Sequence, residues 1–418
     1  MAKYIITGGH KLKGKIRIGG NKNAVLPCLA ACLLTDKEVV LHNVPLIRDV
    51  GVTLDIFREL GVNSELDGST IRIRAQKITS HELPKDLAEK LRASILFVGP
   101  LLTRLGKAKF THPGGDIIGK RSIDIHLNGF KDLGYEIKRR DLEYEVSRKH
   151  HQNLVNIFLD EPSVTGTENL ILAASLSQKV TILRNCAAEP HVVDLCNILV
   201  QMGVEIEGIG SSTLRIIGKD KLNGTEFTIG QDFMELGTYS IAAAITGGEI
   251  EMENATLDGM EPMLNPLRKF GLQFEEKNGV VKVWAKNLKF VPVVKVNVWP
   301  GFPTDVMSLA IVLATQARGV TLCHDWMYEG RMFFVDKLIG MGANITIADP
   351  HRVVIYGPSK LTARDLESPD IRAGMALILA ALIADGVSTI NRAELVERGY
   401  QNVVENLTSL GAKIERVD

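Results

Sequence analysis

Six cations stand at or beside the entrances of predicted helices in this sequence: Lys22, Arg92, Arg121, Arg331, Arg372 and Arg398. A cation at a helix N-terminus opposes the macrodipole, whose positive end favours anions. Five arginines set against that preference point to a bound anion that offsets the cost, with helix amides as further donors. A planar guanidinium fork grips phosphate or carboxylate through paired hydrogen bonds, so the ligand carries one or both. Acids and amides share these entrances, at Asn23, Asp49, Glu168, Glu189, Asp232, Glu261, Asp305, Glu329, Asp370 and Glu397. Ordinary N-capping explains many of these acids.

The elements that carry these residues recur. A phrase of a large apolar residue, Gly and a further apolar residue occurs with its glycines at 61, 134, 203, 271, 342 and 411, spaced 73, 69, 68, 71 and 69 apart. Six units of about 70 residues account for the chain. Each Gly follows an amphipathic helix, such as Val50–Leu60 or Val192–Met202, where a left-handed C′ residue is wanted, and a short alternating strand follows it. Upstream, each unit has a helix apolar nearly all round: 24–34, 94–105, 169–176, 238–246, 305–314 and 373–384. A helix apolar on every face is buried on every face, so the units must cluster, helices inside and sheets outside. The pattern fixes an α/β fold built by duplication and leaves open three-plus-three or a ring of six.

The 418 residues carry 49 Lys+Arg and 49 Asp+Glu. Zero net charge gives no basic footprint for a nucleic-acid partner. The longest apolar run, Ala376 to Ala384, is half the roughly 18 residues needed to span a bilayer. The first residues, MAKYIITGGHKLKG, show no apolar targeting segment, so a cytoplasmic protein is expected. Five cysteines (Cys28, Cys32, Cys186, Cys196 and Cys323) lie mostly in apolar helical stretches and read as buried thiols. The histidines show no ligand spacing, so no metal and no cofactor is expected. Gly114–Lys120 approaches a phosphate-loop pattern, but Arg121 stands where Ser or Thr should hold magnesium.

The ordered motifs along the whole chain resemble the UDP-N-acetylglucosamine 1-carboxyvinyltransferase family of enolpyruvyl transferases. They are Gly20-Asn21-Lys22-Asn23-Ala24, Leu91-Arg92-Ala93-Ser94, the loop Pro113–Arg121 leading to Asp124 and His126, Phe302-Pro303-Thr304-Asp305, Glu329-Gly330-Arg331, Asp370-Ile371-Arg372-Ala373 and Glu397-Arg398-Gly399-Tyr400. The resemblance implies two inside-out α/β barrel domains of three repeats each, over 22–230 and over 1–21 with 231–418, and an active site in the cleft between them. It implies joining phosphoenolpyruvate to the 3′-hydroxyl of UDP-N-acetylglucosamine through a tetrahedral intermediate with release of phosphate, the first committed step of peptidoglycan synthesis.

By the same resemblance Asp305 is the base at the sugar hydroxyl and Asp116 the acid. Lys22, Arg121 and Arg398 hold phosphate, and Arg331 and Arg372 the carboxylate. Asn23, Arg92, Arg121, Ser122, Ile123, Asp124, Ile125, Ser163, Val164 and Met327 contact the sugar nucleotide. No obligate protein partner is implied. The sequence also departs from the family. Asp116 replaces the usual loop Cys, which implies insensitivity to fosfomycin, since a carboxylate cannot form the thioether a thiolate forms with that epoxide. Thr165-Gly166, Phe233, Gly330 and Glu161 also differ. Transfer to shikimate 3-phosphate or another acceptor, and a non-catalytic sugar-nucleotide-binding homologue, are the alternatives.

Overall fold

The computed structural model describes residues 2–115, 118–119, 121–149, 154–177 and 179–418. Each repeat places its apolar helix beneath a small sheet, and four repeats show the arrangement within one stretch of chain. In the third, strand Leu154–Phe158 leads into helix Val164–Ala174 and then into Val180–Arg184, which pairs parallel with the first strand. Helix Pro190–Gln201 follows, and strands Glu205–Glu207 and Thr213–Ile217 complete the sheet as an antiparallel hairpin. Repeats five and six open in the same way with Val293–Lys295 and Asp365–Glu367, and repeat two with the single parallel bridge of Glu82 to Lys109.

Repeats one and four exchange their opening strands. Lys13–Arg17, which precedes helix Lys22–Ala31, pairs with Glu249–Glu253 of repeat four. Thr225–Thr228, which precedes helix Phe233–Thr246, pairs with Glu38–His42 of repeat one. These pairings close repeats one to three on themselves and four to six on themselves. They settle the grouping that the repeat spacing left open. The N-terminal strand Lys3–Thr7 lies between Val387–Asn391 and Lys413–Val417, completing the sixth sheet from the opposite end of the chain.

The chain accordingly forms two compact units, one of residues 20–115 and 121–230, the other of 1–19, 116–120 and 231–418. Each has its own apolar core. In the second, helices Phe233–Thr246, Thr304–Gln316 and Ile371–Ile383 are central, and Ile371 to Leu382 are all buried. Burying one large aliphatic side chain stabilises by roughly 1.5–3 kcal/mol, and these helices do so on every face. The sheets lie outside, with buried residues alternating with exposed or half-buried ones along strands such as Lys3–Thr7 and Thr213–Ile217. This is the inside-out α/β arrangement, three repeats to a unit.

The six repeat glycines all have φ between 78° and 108°, the left-handed conformation expected after each helix. The five cysteines are buried and free, as expected. Among the described residues, no helix is long and apolar enough to cross a membrane.

Candidate active site

In the unit of residues 20–115 and 121–230, Lys22 is the first residue of its helix. Asn21 caps that helix, its side-chain oxygen accepting from the amides of Asn23 at 2.7 Å and Ala24 at 3.3 Å. Lys22 Nζ lies 2.8 Å from Asp49 Oδ2, and both side chains are buried. Asp49 stands in the first turn of helix Arg48–Glu59, where the helix dipole favours its charge. The pairing joins two helix starts and gives Asp49 a place the sequence alone did not assign.

Arg92 opens a 3₁₀ helix, Arg92–Phe97, and its Nη2 donates to Ser122 O at 3.0 Å. Gly115 approaches so closely that a Cβ there would lie 2.9 Å from Arg92 Cβ and 3.5 Å from Arg121 Nη1. Its φ of +122° also suits glycine. Ser122 Oγ donates to Asp124 Oδ2 at 2.5 Å and receives the Asp124 amide at 3.0 Å, fixing the turn before helix Asp124–Asp132. Ile123 is buried and Ile125 partly so. A Cβ on Gly166 would meet Ile125 Cγ2 at 2.6 Å, so glycine at this position leaves room for Ile125.

Ser163 caps helix Val164–Ala174 through Gly166 N, with Val164 as the first helical residue. Beneath this turn His126 is buried, and burial, then Arg92, lowers its pKa to about 3. Asn169 Nδ2 donates to His126 Nδ1 at 3.0 Å, which leaves the proton on Nε2, 3.2 Å from Thr165 Oγ1. The neutral ring thus ties two helices together. This network was not legible as a unit from spacing.

In the other unit, Asp305 lies in the first turn of helix Thr304–Gln316 and is held by two arginines. Arg331 Nη2 donates to Oδ1 at 2.9 Å, and Arg372 donates to Oδ2 through Nε at 3.1 Å, with Nη2 in ion-pair range of the same oxygen at 3.0 Å. The arginine side chains are 2% and 7% exposed, against 30% for Asp305. Arg331 lies over the Tyr328 ring and Arg372 over the Tyr400 ring, 5.5 and 5.3 Å from the centroids. For Arg372, burial works against the charged form, but Asp305 and Tyr400 outweigh it and its pKa is raised. Two buried donors, Arg331 Nε and Arg372 Nη1, have no hydrogen-bond partner among the described residues. Buried guanidinium donors of this kind suit an anion.

Asp370 supplies the cap of Arg372's helix, accepting from the amides of Arg372 and Ala373 at 2.8 and 3.0 Å. Asp325 accepts from Thr304 Oγ1 at 2.5 Å and from Met327 N at 3.0 Å, setting the loop that carries Met327 and Arg331. Further on, Gly330 N donates to Ile118 O at 2.8 Å, and a Cβ on Gly330 would meet the Ile118 backbone at 2.8 Å. Asp116 lies outside the described residues.

Two expectations about helix entrances are corrected. Arg331 lies in a turn, since the following helix is Val335–Gly340. Arg398 ends the 3₁₀ helix Ala393–Arg398, because the next helix starts only after Asn402, which has a positive φ. The macrodipole argument therefore applies to Arg372 and Lys22 among α-helix starts, while the carboxylate of Asp305 gathers Arg331. Among the described residues no group of three His, Cys, Asp or Glu side chains could hold a metal ion.

A family profile described as EPSP synthase (3-phosphoshikimate 1-carboxyvinyltransferase) matches residues 6–407. The enolpyruvyl transferase NikO from Streptomyces tendae shares the fold at a TM-score of 0.89, with 23% identity over 100% of this chain and 99% of its own. The chain is thus a transferase of the enolpyruvyl transferase class. Proteins named UDP-N-acetylglucosamine 1-carboxyvinyltransferase from Borreliella burgdorferi and Treponema denticola are 46% and 45% identical, covering 100% and 99% of this chain and 99% of each relative. The chain belongs to that family.

Proposed function

We propose that this enzyme transfers the enolpyruvyl group of phosphoenolpyruvate to the 3′-hydroxyl of UDP-N-acetylglucosamine and releases phosphate, in the cytoplasm, as the first committed step of peptidoglycan synthesis. The observation that carries the reading is the pair of buried arginines meeting at Asp305, each with a further buried guanidinium donor that has no partner among the described residues. The relatives' names supply the acceptor.

Asp305 takes the proton of the acceptor hydroxyl as its oxygen bonds to C2 of phosphoenolpyruvate. Asp116 delivers a proton to C3, giving a tetrahedral ketal with a methyl group. A methyl proton then passes to the Asp116 carboxylate, the double bond re-forms, the C2–O bond to phosphate breaks, and the departing phosphate takes the proton held by Asp305. Lys22, Arg121 and Arg398 hold the phosphate, and Arg331 and Arg372 the carboxylate. Asn23, Arg92, Arg121, Ser122, Ile123, Asp124, Ile125, Ser163, Val164 and Met327 orient the sugar nucleotide. Fixed cations stabilise charge developing in the transition state without reorganising, usually the largest catalytic contribution. A carboxylic acid serves as proton donor where its surroundings raise its pKa. Lacking the loop thiol, the enzyme is insensitive to fosfomycin.

Turnover in deuterated water tests the addition–elimination route. Deuterium at C3 of the enolpyruvyl product supports it, and an unlabelled vinyl group contradicts it.

A further inference from the structure

Asp305 occupies the guanidinium edges that face it from both arginines, and a carboxylate is the group those arginines are assigned in substrate. We propose that Asp305 is an internal surrogate for the substrate carboxylate, displaced when phosphoenolpyruvate binds and only then freed to act as base. The inference rests on the functional reading above and adds a control of the same site.

Three observations carry it. The arginines are the fixed partners: their side chains are 2% and 7% exposed and lie against Tyr328 and Tyr400. Asp305 is the more exposed member at 30%, and a short side chain changes partners by rotation between staggered wells. Arg331 Nε and Arg372 Nη1 remain as buried donors without a partner among the described residues, so each guanidinium keeps hydrogen-bonding capacity that Asp305 does not use. Both oxygens of Asp305 accept from guanidinium groups, which compete with a hydroxyl proton for the same lone pairs. Substrate carboxylate in place of Asp305 preserves the pairing of the arginines and releases those oxygens. The exchange makes the base available only when its electrophile is seated. It also weakens anion binding by the work of displacing Asp305.

Calorimetric titration of wild type, Asp305→Ala and Asp305→Asn with phosphoenolpyruvate, without sugar nucleotide, tests the exchange, with inorganic phosphate as second probe. Asp305→Ala is expected to bind phosphoenolpyruvate at least about tenfold more tightly than wild type, within the usual range of coupling between sites. Asp305→Asn should fall between them, and phosphate should gain less than phosphoenolpyruvate. Unchanged or weaker binding by a variant with wild-type melting overturns the proposal, and so does an equal gain for both probes. If Asp305→Ala does not fold, the near-isosteric Asp305→Asn decides by the same criterion. Wild-type phosphate release with the sugar nucleotide is measured in parallel. Turnover without the affinity gain defeats the surrogate alone, whereas no turnover with any acceptor defeats the functional reading.

Discussion

Lys22 Nζ and Asp49 Oδ2 form an ion pair 2.8 Å long, with side chains only 10% and 4% exposed, at the starts of two helices. Removing one member takes the opposite charge away from a buried group, a loss of up to about 3–5 kcal/mol. Lys22→Ala and Asp49→Ala should each lower the urea midpoint clearly, while the double variant recovers part of the loss. Strictly additive losses in that double-mutant cycle would contradict coupling of the pair.

Arg372 meets Asp305 through an Nε hydrogen bond and an Nη2 ion-pair contact and covers Tyr400 with its planar face. Lysine offers neither the fork nor the plane. Arg372→Lys should keep the charge yet lower kcat/KM by about 10²–10³, the scale seen when a preorganised donor is lost. Steady-state kinetics against phosphoenolpyruvate check this, and a change under threefold would argue against a role at the reacting centre.

Glu235 shows a pH dependence whose sign is fixed by its surroundings. Burial, then Asp232, raises its pKa to about 8, although it accepts from Gly19 N at 2.9 Å. The folded protein keeps this proton where the unfolded chain, at about 4.3, has lost it. The contribution is complete below the unfolded value and is lost as pH rises through about 8. His126 acts from the other side: its neutral folded form loses stability as pH falls below about 6.5 and toward about 3. Glu235→Gln should flatten the fall in stability measured by chemical unfolding between about pH 6.5 and 8, above the range in which His126 titrates. An unaltered alkaline slope would remove Glu235 as its source.

How much of this was legible in the sequence depends on the range of the interaction. The repeat glycines and the buried helices could be read because C′ geometry and all-round apolarity are local properties. The exchange of Lys13–Arg17 and Thr225–Thr228 between repeats one and four could not, because strand pairing across some 200 residues leaves no period. Arg331 and Arg398 were legible as chemistry but misplaced as helix entrances, since the turn carrying Arg331 and the 3₁₀ helix ending at Arg398 postpone the next helix to Val335 and Val403. Asp49, Tyr328 and Tyr400 gained their places only from tertiary contacts.

Gly330 has no room for a side chain against the Ile118 backbone, two residues along the chain from Asp116. Gly330→Ala should therefore shift that loop and lower kcat by up to about 100-fold, as misplacements near 1 Å do, with the melting temperature little changed. Turnover equal to wild type would show that the close approach is incidental.

Asp116→Cys places a thiol at the position proposed to deliver the proton. The variant should remain active and acquire inhibition by fosfomycin, with an added mass of one drug molecule on Cys-containing loop peptide. No adduct in an active variant would mean that the loop does not bring position 116 to the reacting atoms.

The most direct measurement is phosphate release from phosphoenolpyruvate with UDP-N-acetylglucosamine, with shikimate 3-phosphate and with no acceptor, each with and without fosfomycin. Release with the sugar nucleotide alone, undiminished by the drug, is the predicted result. Silence with the sugar nucleotide, or release that requires shikimate 3-phosphate, would contradict the proposed reaction.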